Sequence, residues 1–345
     1  MKQSNPTRCY MIAEIGVNHS GDIAVAKKMI TAAKLSGADA VKFQTFTAEA
    51  LVSKGTPKVK YQETTTDVNE SHYDMIKSLE FKREDHLPVI EFCKSLDIDF
   101  ISTPYDADSA SFLNGIGVSI FKTASADIVD LDLHNYLSKL NKRVIIATGM
   151  STLGEVEDVV KIYQANNTLD KISLLHCVSN YPCQHENLNI RSMQTLANAF
   201  GVEVGFSDHS IGPIGAIVSV SLGATVVEKH FTLDKSMEGP DHKASSTPEE
   251  FKELVDSVRT AELCLGGFQK EVVSEELQMR SVSRKSLFLK NNIAEGKIIA
   301  DDDLCLKRPG TGLYAKYRNY AVGSKAAGNL TQGEMLEFGD FCGKY

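Results

Sequence analysis

Two histidines stand just past two consecutive strand-like runs. Ser-Asp-His at 207–209 follows Val202–Phe206, and Glu-Lys-His at 228–230 follows Ala224–Val227. Imidazole is the commonest transition-metal ligand among side chains. A lone histidine is more often an ordinary packed residue, but neighbouring parallel strands bring their C-terminal ends to one mouth. His209 and His230 are therefore candidate ligands of one ion. Two imidazoles without a third protein ligand leave several positions open. That suits an octahedral ion completed by water and substrate oxygens, such as Mn²⁺, Co²⁺ or Mg²⁺, over a closed tetrahedral zinc site. Such an ion acts as a Lewis acid on a carbonyl oxygen.

The other strand ends carry reactive groups as well. They supply Glu14, then Lys42 and Gln44, then Thr103 and Tyr105, then Lys122, Ser125 and Asp127, then Thr148 and Gly149. His176, Ser179, Asn180 and Tyr181 follow, and Ser207 precedes the first histidine of the pair. Any one of them could be a satisfied core polar residue; their recurrence at the same end of eight strands points to a site. Two lysines and several hydroxyls suit a doubly negative phosphate, because ammonium and hydroxyl donors both stabilise it. Neither a Walker loop nor a strand-linked G-x-G-x-x-G is present, so nucleotide use is not indicated. A competing chemistry is a Schiff-base aldolase with Lys42 or Lys122 as the amine. It would survive a chelator and be trapped by borohydride. A glycan-binding protein without catalysis is the remaining rival, and it leaves the polar strand ends unexplained.

The elements that must position these groups are legible in the hydropathy. Strands are expected at Met11–Ile15, Ala40–Phe43, Phe100–Thr103, Ser119–Thr123, Val144–Thr148, Ser173–Cys177, Val202–Phe206 and Ala224–Lys229. Several are nearly continuous apolar runs, as strands buried on both faces should be. Amphipathic helices are expected between them, at Ala24–Leu35, Arg83–Leu96, Gly154–Ala165 and Pro248–Leu265 among others. Eight such units match an α/β fold of the (β/α)8 TIM-barrel type, with a doubly wound open sheet as the alternative. Thr45–Glu80 interrupts the rhythm; an insertion that long should form a lid or carry extra helices.

The last stretch differs. Ser286–Leu289 reads as a strand, and after it glycines and short apolar pairs replace helical periodicity. Residues 293–304 and 330–341 share the pattern apolar-x-x-Gly-x-apolar-apolar-x-x-x-Asp-apolar, a turn-strand-turn unit used twice. The expected organisation is a catalytic barrel over 1–268, a polar linker over 269–283 and a small β domain over 284–345. A β domain of that size has a marginal core of its own, so it is expected to dock on a barrel, that of a partner subunit.

Composition narrows the partners. Net charge is −8, there is no tryptophan, and no long basic stretch is present, which argues against nucleic acid or an anionic membrane. Seven scattered cysteines form no C-x-x-C pair, as expected of reduced thiols in a cytoplasmic enzyme. The first ten residues lack the apolar run of a signal peptide, and no stretch reaches the roughly 20 apolar residues of a membrane span.

Six motifs, Ala-Glu-Ile-Gly-Val-Asn-His (13–19), Val-Lys-Phe-Gln (41–44), Ser-Thr-Pro-Tyr (102–105), Gly-Phe-Ser-Asp-His-Ser (205–210), Glu-Lys-His-Phe (228–231) and Gly-Pro-Asp-His (239–242), together resemble the sialic acid synthase family. That family comprises N-acetylneuraminate synthases and relatives making legionaminic or pseudaminic acid. The C-terminal segment, with Leu306-Lys-Arg-Pro-Gly-Thr-Gly312, resembles the antifreeze-like (type III antifreeze protein-like) domain of the same family. The resemblance implies condensation of phosphoenolpyruvate with the open-chain aldehyde of an N-acetylated amino sugar, releasing phosphate by C–O cleavage in a homodimer. N-acetylmannosamine is the first expected acceptor and a 6-deoxy diacetamido sugar the alternative.

By motif match the resemblance gives phosphoenolpyruvate to Lys42, Thr103, Lys122, Ser125 and Ser207. It gives the sugar to Gln44, Tyr105, Tyr181 and Asp241, with Arg308 from the other subunit holding the N-acetyl group. Glu14, Asp127, His209 and His230 are the expected catalytic residues, and His209 and His230 the metal ligands, Mn²⁺ being the expected ion. Two departures stand out. Ser125-Ala126-Asp127 replaces the more usual Ser-Gly-Glu, which bears on sugar identity. Ala147-Thr-Gly-Met replaces Ser-Thr-Gly-Met, which removes one hydroxyl.

Overall fold

The computed structural model describes residues 8–67 and 69–343. The chain divides into two compact units, Met1–Gly267 and Phe268–Tyr345. The first is a closed barrel of eight parallel strands in sequential order: β1 (Tyr10–Gly16), β2 (Ala40–Thr45), β3 (Asp99–Pro104), β4 (Ile120–Thr123), β5 (Arg143–Ala147), β6 (Ile172–Cys177), β7 (Glu203–Asp208) and β8 (Val226–His230). β8 returns to β1 in a register running from Tyr10↔Val226 to Glu14↔His230, which closes the ring. The eight main helices are α1 (Ile23–Leu35), α2 (Arg83–Ser95), α3 (Ala107–Gly115), α4 (Leu131–Lys139), α5 (Leu153–Ala165), α6 (Ser192–Phe200), α7 (Ile214–Ser221) and α8 (Pro248–Leu265).

Local sequence explains where these helices begin. Asp22 accepts from the Ala24 and Val25 amides to start α1. Thr152 with Glu155, and Thr247 with Glu250, close reciprocal capping boxes at α5 and α8, where Pro248 costs nothing because its missing N–H falls in the first turn. Ala26, Met29, Ile30 and Ala33 recur at helical spacing and form the buried stripe of α1. The insertion after β2 carries three short helices, Ala48–Leu51, Lys60–Thr65 and His72–Ser78.

Alternation along the strands sorts the core into two shells. Met11, Ala13, Ile15, Val41, Phe43, Phe121, Val144 and Ile146 face the helices. Ile12, Ala40, Ile101, Ile145, Leu175 and Val226 face inward and fill the barrel as an apolar plug, each branched side chain contributing roughly 1.5–3 kcal/mol by leaving water. On β7 the plug level is Gly205. A Cβ there would lie 2.3 Å from the Val226 carbonyl oxygen and 2.6 Å from Leu175 Cδ2. Two positions further along β1, β2, β3, β4, β7 and β8 the inward face turns polar, and this change of layer creates the site.

The second unit opens on a short helix, α9 (Leu277–Ser283), preceded by a 3₁₀ turn at Ser274–Glu276. Residues 269–283, expected as linker, therefore carry helical structure; Glu276 caps the turn by accepting the Val273 amide. Beyond it lie two antiparallel pairs, β9 (Ser286–Leu289) with β10 (Leu304–Lys307), and β11 (Lys325–Ala326) with β12 (Phe341–Cys342). The two copies of the sequence repeat meet at an antiparallel bridge. Ile293 and Leu330 exchange amide hydrogen bonds, and each copy ends in a 3₁₀ turn, Asp301–Asp303 or Phe338–Asp340, that feeds β10 or β12. Leu287, Leu289, Ile299, Leu304, Leu313 and Leu336 form its core.

Candidate functional site

Directly above the plug, Glu14, Lys42, Thr103, Lys122, Ser207 and Glu228 converge, none more than 5% exposed. Lys42 Nζ lies 2.7 Å from Glu14 Oε2 and 3.9 Å from Glu228 Oε2, and donates to Thr103 Oγ1 at 3.1 Å. Lys122 Nζ lies 3.7 Å from Glu228 Oε1 and donates to the Thr123 carbonyl. Gln44 Nε2 donates to Glu14 Oε1 at 3.2 Å. Burying each such charge costs several kcal/mol, an expense that stability alone does not explain, so the layer reads as functional.

The two glutamates are pushed in opposite directions. Burial raises the Glu14 carboxyl to about 7, and the nearby Glu228 charge adds to this while Lys42 only partly offsets it. Burial also disfavours ionised Glu228, but Lys122, Lys42 and the Ser207 hydroxyl outweigh it and bring that group down to about 2. Burial pulls Lys42 down, yet Glu14 and Glu228 together leave it raised. For Lys122 burial wins and its value is lowered.

The other half of the mouth is neutral. The His209 and His230 rings are 5.7 Å apart between centroids, and Tyr181 packs against both, at 4.1 and 5.5 Å. His209 Nδ1 meets the Val178 carbonyl at 2.8 Å, so it carries the proton and leaves Nε2 as the acceptor. That nitrogen lies 3.3 Å from Ser207 Oγ, whose hydroxyl donates to Glu228 Oε1 at 3.0 Å and so joins the two halves. His230 Nδ1 is buried with no hydrogen-bond partner, and Asp241 Oδ2 lies 4.0 Å away. Burial lowers His209 to about 4 and His230 to about 3, so both rings are neutral at pH 7 and keep their lone pairs. Burial raises Asp241 to about 6. An orphaned imidazole nitrogen and a second one with its tautomer fixed leave two lone pairs facing the mouth, the donor chemistry of a two-histidine cation site; among the described residues no third His, Cys, Asp or Glu completes a protein-only metal cluster.

Ser125 lies in a third cluster. Its Oγ accepts the Gly149 amide at 2.9 Å and lies 3.1 Å from Cys177 Sγ. A Cβ at position 149 would lie 2.4 Å from Ser179 Oγ and 2.6 Å from Cys177 Sγ, so only glycine lets this cradle close. Asp127, in the 3₁₀ turn after β4, has a buried Oδ2 without a partner; burial and Asp130 raise it to about 7.

Two residues of the barrel unit pack outside this layer, and a third belongs to the second unit. Tyr105 packs edge-on against Phe46, in a satellite cluster with Val17, Met75 and Leu79. His176 faces away from the mouth, donating to the Leu188 carbonyl and stacking on Phe206, because it has the opposite strand parity from Cys177. Arg308 is exposed in the second unit. The sequence reading missed Glu228 as a site residue, although the period-two rule applied to His230 on the same strand points to it. It also missed Asn18, whose amide bonds the Phe231 carbonyl and Ser245 Oγ and thereby braces the segment carrying Asp241.

Residues 29–270 match the NeuB family model and residues 284–341 the SAF domain model. The chain is 44% identical to the N,N'-diacetyllegionaminic acid synthase of Legionella pneumophila, over 95% of this chain and 93% of that one. The Campylobacter jejuni enzyme of the same name is 41% identical, over 94% and 98%. The crystal structure of the N-acetylneuraminic acid synthetase of Leptospira borgpetersenii superposes with a TM-score of 0.70 at 31% identity, covering 79% of this chain and 90% of that one.

Proposed function

The chain belongs to the NeuB family, and from that premise we propose that it joins phosphoenolpyruvate to the open-chain aldehyde of an N-acetylated amino sugar, with release of phosphate. The observation that carries this reading is the meeting of two ammonium groups and several hydroxyls with two neutral imidazoles in one mouth. Lys42, Lys122, Thr103, Ser125 and Ser207 hold the phosphate and carboxylate of phosphoenolpyruvate. An incoming dianion would compete with Glu14 and Glu228 for the lysines. Carbon 3 bonds to the aldehyde carbon and the aldehyde oxygen takes up a proton. Water then adds at carbon 2, and the C–O bond to phosphate breaks with its electron pair leaving on phosphate.

Glu14, with its carboxyl near neutrality, is suited to deliver the proton, and Asp127 to accept one from the attacking water. His209 and His230 would hold the divalent cation, an ion completed by water and substrate oxygens such as Mn²⁺, Co²⁺ or Mg²⁺, with Mn²⁺ preferred through the resemblance. When bound it would polarise a carbonyl oxygen. Gln44, Tyr181 and Asp241 line the acceptor side. Arg308 and Tyr105 keep acceptor roles through the resemblance alone, as does the homodimer.

The acceptor we favour is a 6-deoxy diacetamido sugar leading to a legionaminate-type product. The legionaminic acid synthases, at 44% and 41% identity, stand above the N-acetylneuraminic acid synthetase at 31%. This reverses the order expected from sequence, where N-acetylmannosamine came first. Phosphate release from phosphoenolpyruvate with Mn²⁺, run against both sugars with and without chelator, tests acceptor and metal together. Turnover that survives chelator and is trapped by borohydride would return the site to the Schiff-base aldolase.

A further inference from the structure

The motifs around the two histidines carry a second pattern on the opposite strand face. Ser207 and His209 share one parity with Glu228 and His230 across the strand pair; Asp208, Ser210 and Lys229 take the other. Asp208 pairs with Lys229 in the β7–β8 register, and both are buried, at 1% and 4% exposed. Lys229 Nζ lies 2.9 Å from Asp208 Oδ2 and also donates to the Ser210 carbonyl at 2.6 Å. Asp208 Oδ1 in turn accepts the Ser210 amide at 2.9 Å and the Ser210 hydroxyl at 2.6 Å. The residues before and after His209 are thus bonded to each other and to one ammonium group. Helix α7 seals the cluster with Gly215, where a Cβ would lie 3.0 Å from Ser210 Oγ and 3.1 Å from Asp208 Oδ1.

The two histidines need different amounts of help. His230 ends β8, and its neighbourhood is fixed by main-chain bonds, Phe231 N–H to the Glu14 carbonyl and Ser246 N–H to the His230 carbonyl, both 2.8 Å. His209 lies one residue beyond the end of β7. Its carbonyl accepts the Cys183 amide at 2.8 Å within an isolated bridge between Cys183 and Ser210, and the side chains of Asp208, Ser210 and Lys229 tie the rest of the turn. Lys229 is covalently next to His230 and hydrogen-bonded on both flanks of His209.

We propose that Lys229, with Asp208, is a positioning residue that sets the spacing of His209 from His230 and so the affinity of the site for a divalent cation. This rests on the reading of the histidine pair as a metal site. Groups that orient metal ligands typically change metal affinity by about 10–100-fold when removed. Neither Lys229 nor Asp208 belongs to the phosphate-binding set, so phosphoenolpyruvate affinity without metal should be spared.

The test measures free Mn²⁺ by electron paramagnetic resonance in titrations of the ligand-free full-length protein. Wild type, Lys229→Met, Asp208→Asn and His209→Ala are compared, with phosphoenolpyruvate affinity taken by calorimetry in chelator. The expected result for Lys229→Met is a Mn²⁺ dissociation constant about tenfold or more above wild type, with phosphoenolpyruvate binding changed less than about twofold. Asp208→Asn keeps acceptors for Ser210 but loses the ion pair; it should shift the same way, and it serves if Lys229→Met does not fold. Unchanged Mn²⁺ affinity in a folded variant overturns the clamp alone, as does an equal loss of Mn²⁺ and phosphoenolpyruvate binding. Wild type binding Mn²⁺ no better than His209→Ala overturns the metal reading, and the clamp with it.

Discussion

The two halves of the barrel mouth follow opposite electrostatic plans. In one half, Glu14, Lys42 and Lys122 from β1, β2 and β4 meet Glu228 from β8, ionisable groups that answer one another's demands inside the protein. In the other, His209 and His230 are neutral, and His230 Nδ1 is buried without a partner. A half that carries its own counter-ions is pre-organised for a charged ligand but must exchange partners to take it. A half that keeps lone pairs unpartnered already bears the desolvation cost of an acceptor that something else will satisfy. On the proposed reading the anion belongs to the first half and the cation to the second, with Ser207 donating to Glu228 and its Oγ lying against His209.

The hardest blow to that comparison falls on the neutral half. His209→Ala and His230→Ala should each lower turnover by about 10³-fold, since several kcal/mol of charge stabilisation is at stake. Phosphoenolpyruvate binding should change little. Turnover near wild type from either variant in metal-containing buffer would remove the cation from this half.

The charged half is attacked through Lys122, whose ammonium among the described residues makes its ion pair with Glu228. Lys122→Met should raise the KM for phosphoenolpyruvate about 10–100-fold, the loss of one charge-assisted bond. Mn²⁺ affinity should stay within about twofold of wild type. Equal losses in both measurements would mean that the halves are not separable. Lys42→Met should be worse than Lys122→Met, because it also strands Glu14.

How much of this was legible beforehand depends on what each feature rests on. The barrel strands and α1, α2, α5 and α8 announced themselves, because near-continuous apolar runs and helical stripes are local properties of the chain. The histidine pair was legible for the same reason, lying at the ends of two such runs. Glu228 was passed over although its parity matched His230, because an unpaired carboxylate in an apolar strand has no sequence signature of its counter-ions. His176 was grouped with the mouth because strand-end position was read without parity; the ladder turns it outward. Residues 269–283 looked like a linker because α9 buries none of its residues, and a helix without an apolar stripe leaves little pattern to see.

A finer comparison sets Asp127 against the usual glutamate of the family pattern. The shorter carboxylate withdraws its oxygens by one methylene, and Oδ2 lies buried without a partner. Asp127→Glu should change the ratio of kcat/KM between the 6-deoxy diacetamido sugar and N-acetylmannosamine by about tenfold, a discrimination of roughly 1.4 kcal/mol. An unchanged ratio would take acceptor choice away from this position.

The smallest effect is thermodynamic and asks whether Asp127 is as desolvated as its surroundings imply. Its folded-state value is raised to about 7, chiefly by burial, while in the unfolded chain it returns to about 3.9. Between those values the native state binds the proton more tightly than the unfolded state. Its contribution is therefore fully present below about pH 4 and is lost as pH rises to 7. Asparagine has no proton to lose, and the other raised carboxyls, Glu14 and Asp241, remain in both proteins and cancel in the difference. The Tm of Asp127→Asn relative to wild type should thus be higher at pH 8 than at pH 5, by about 2 °C or more. A difference that does not move with pH would place the carboxylate in water, and with it the proton-accepting role given to Asp127.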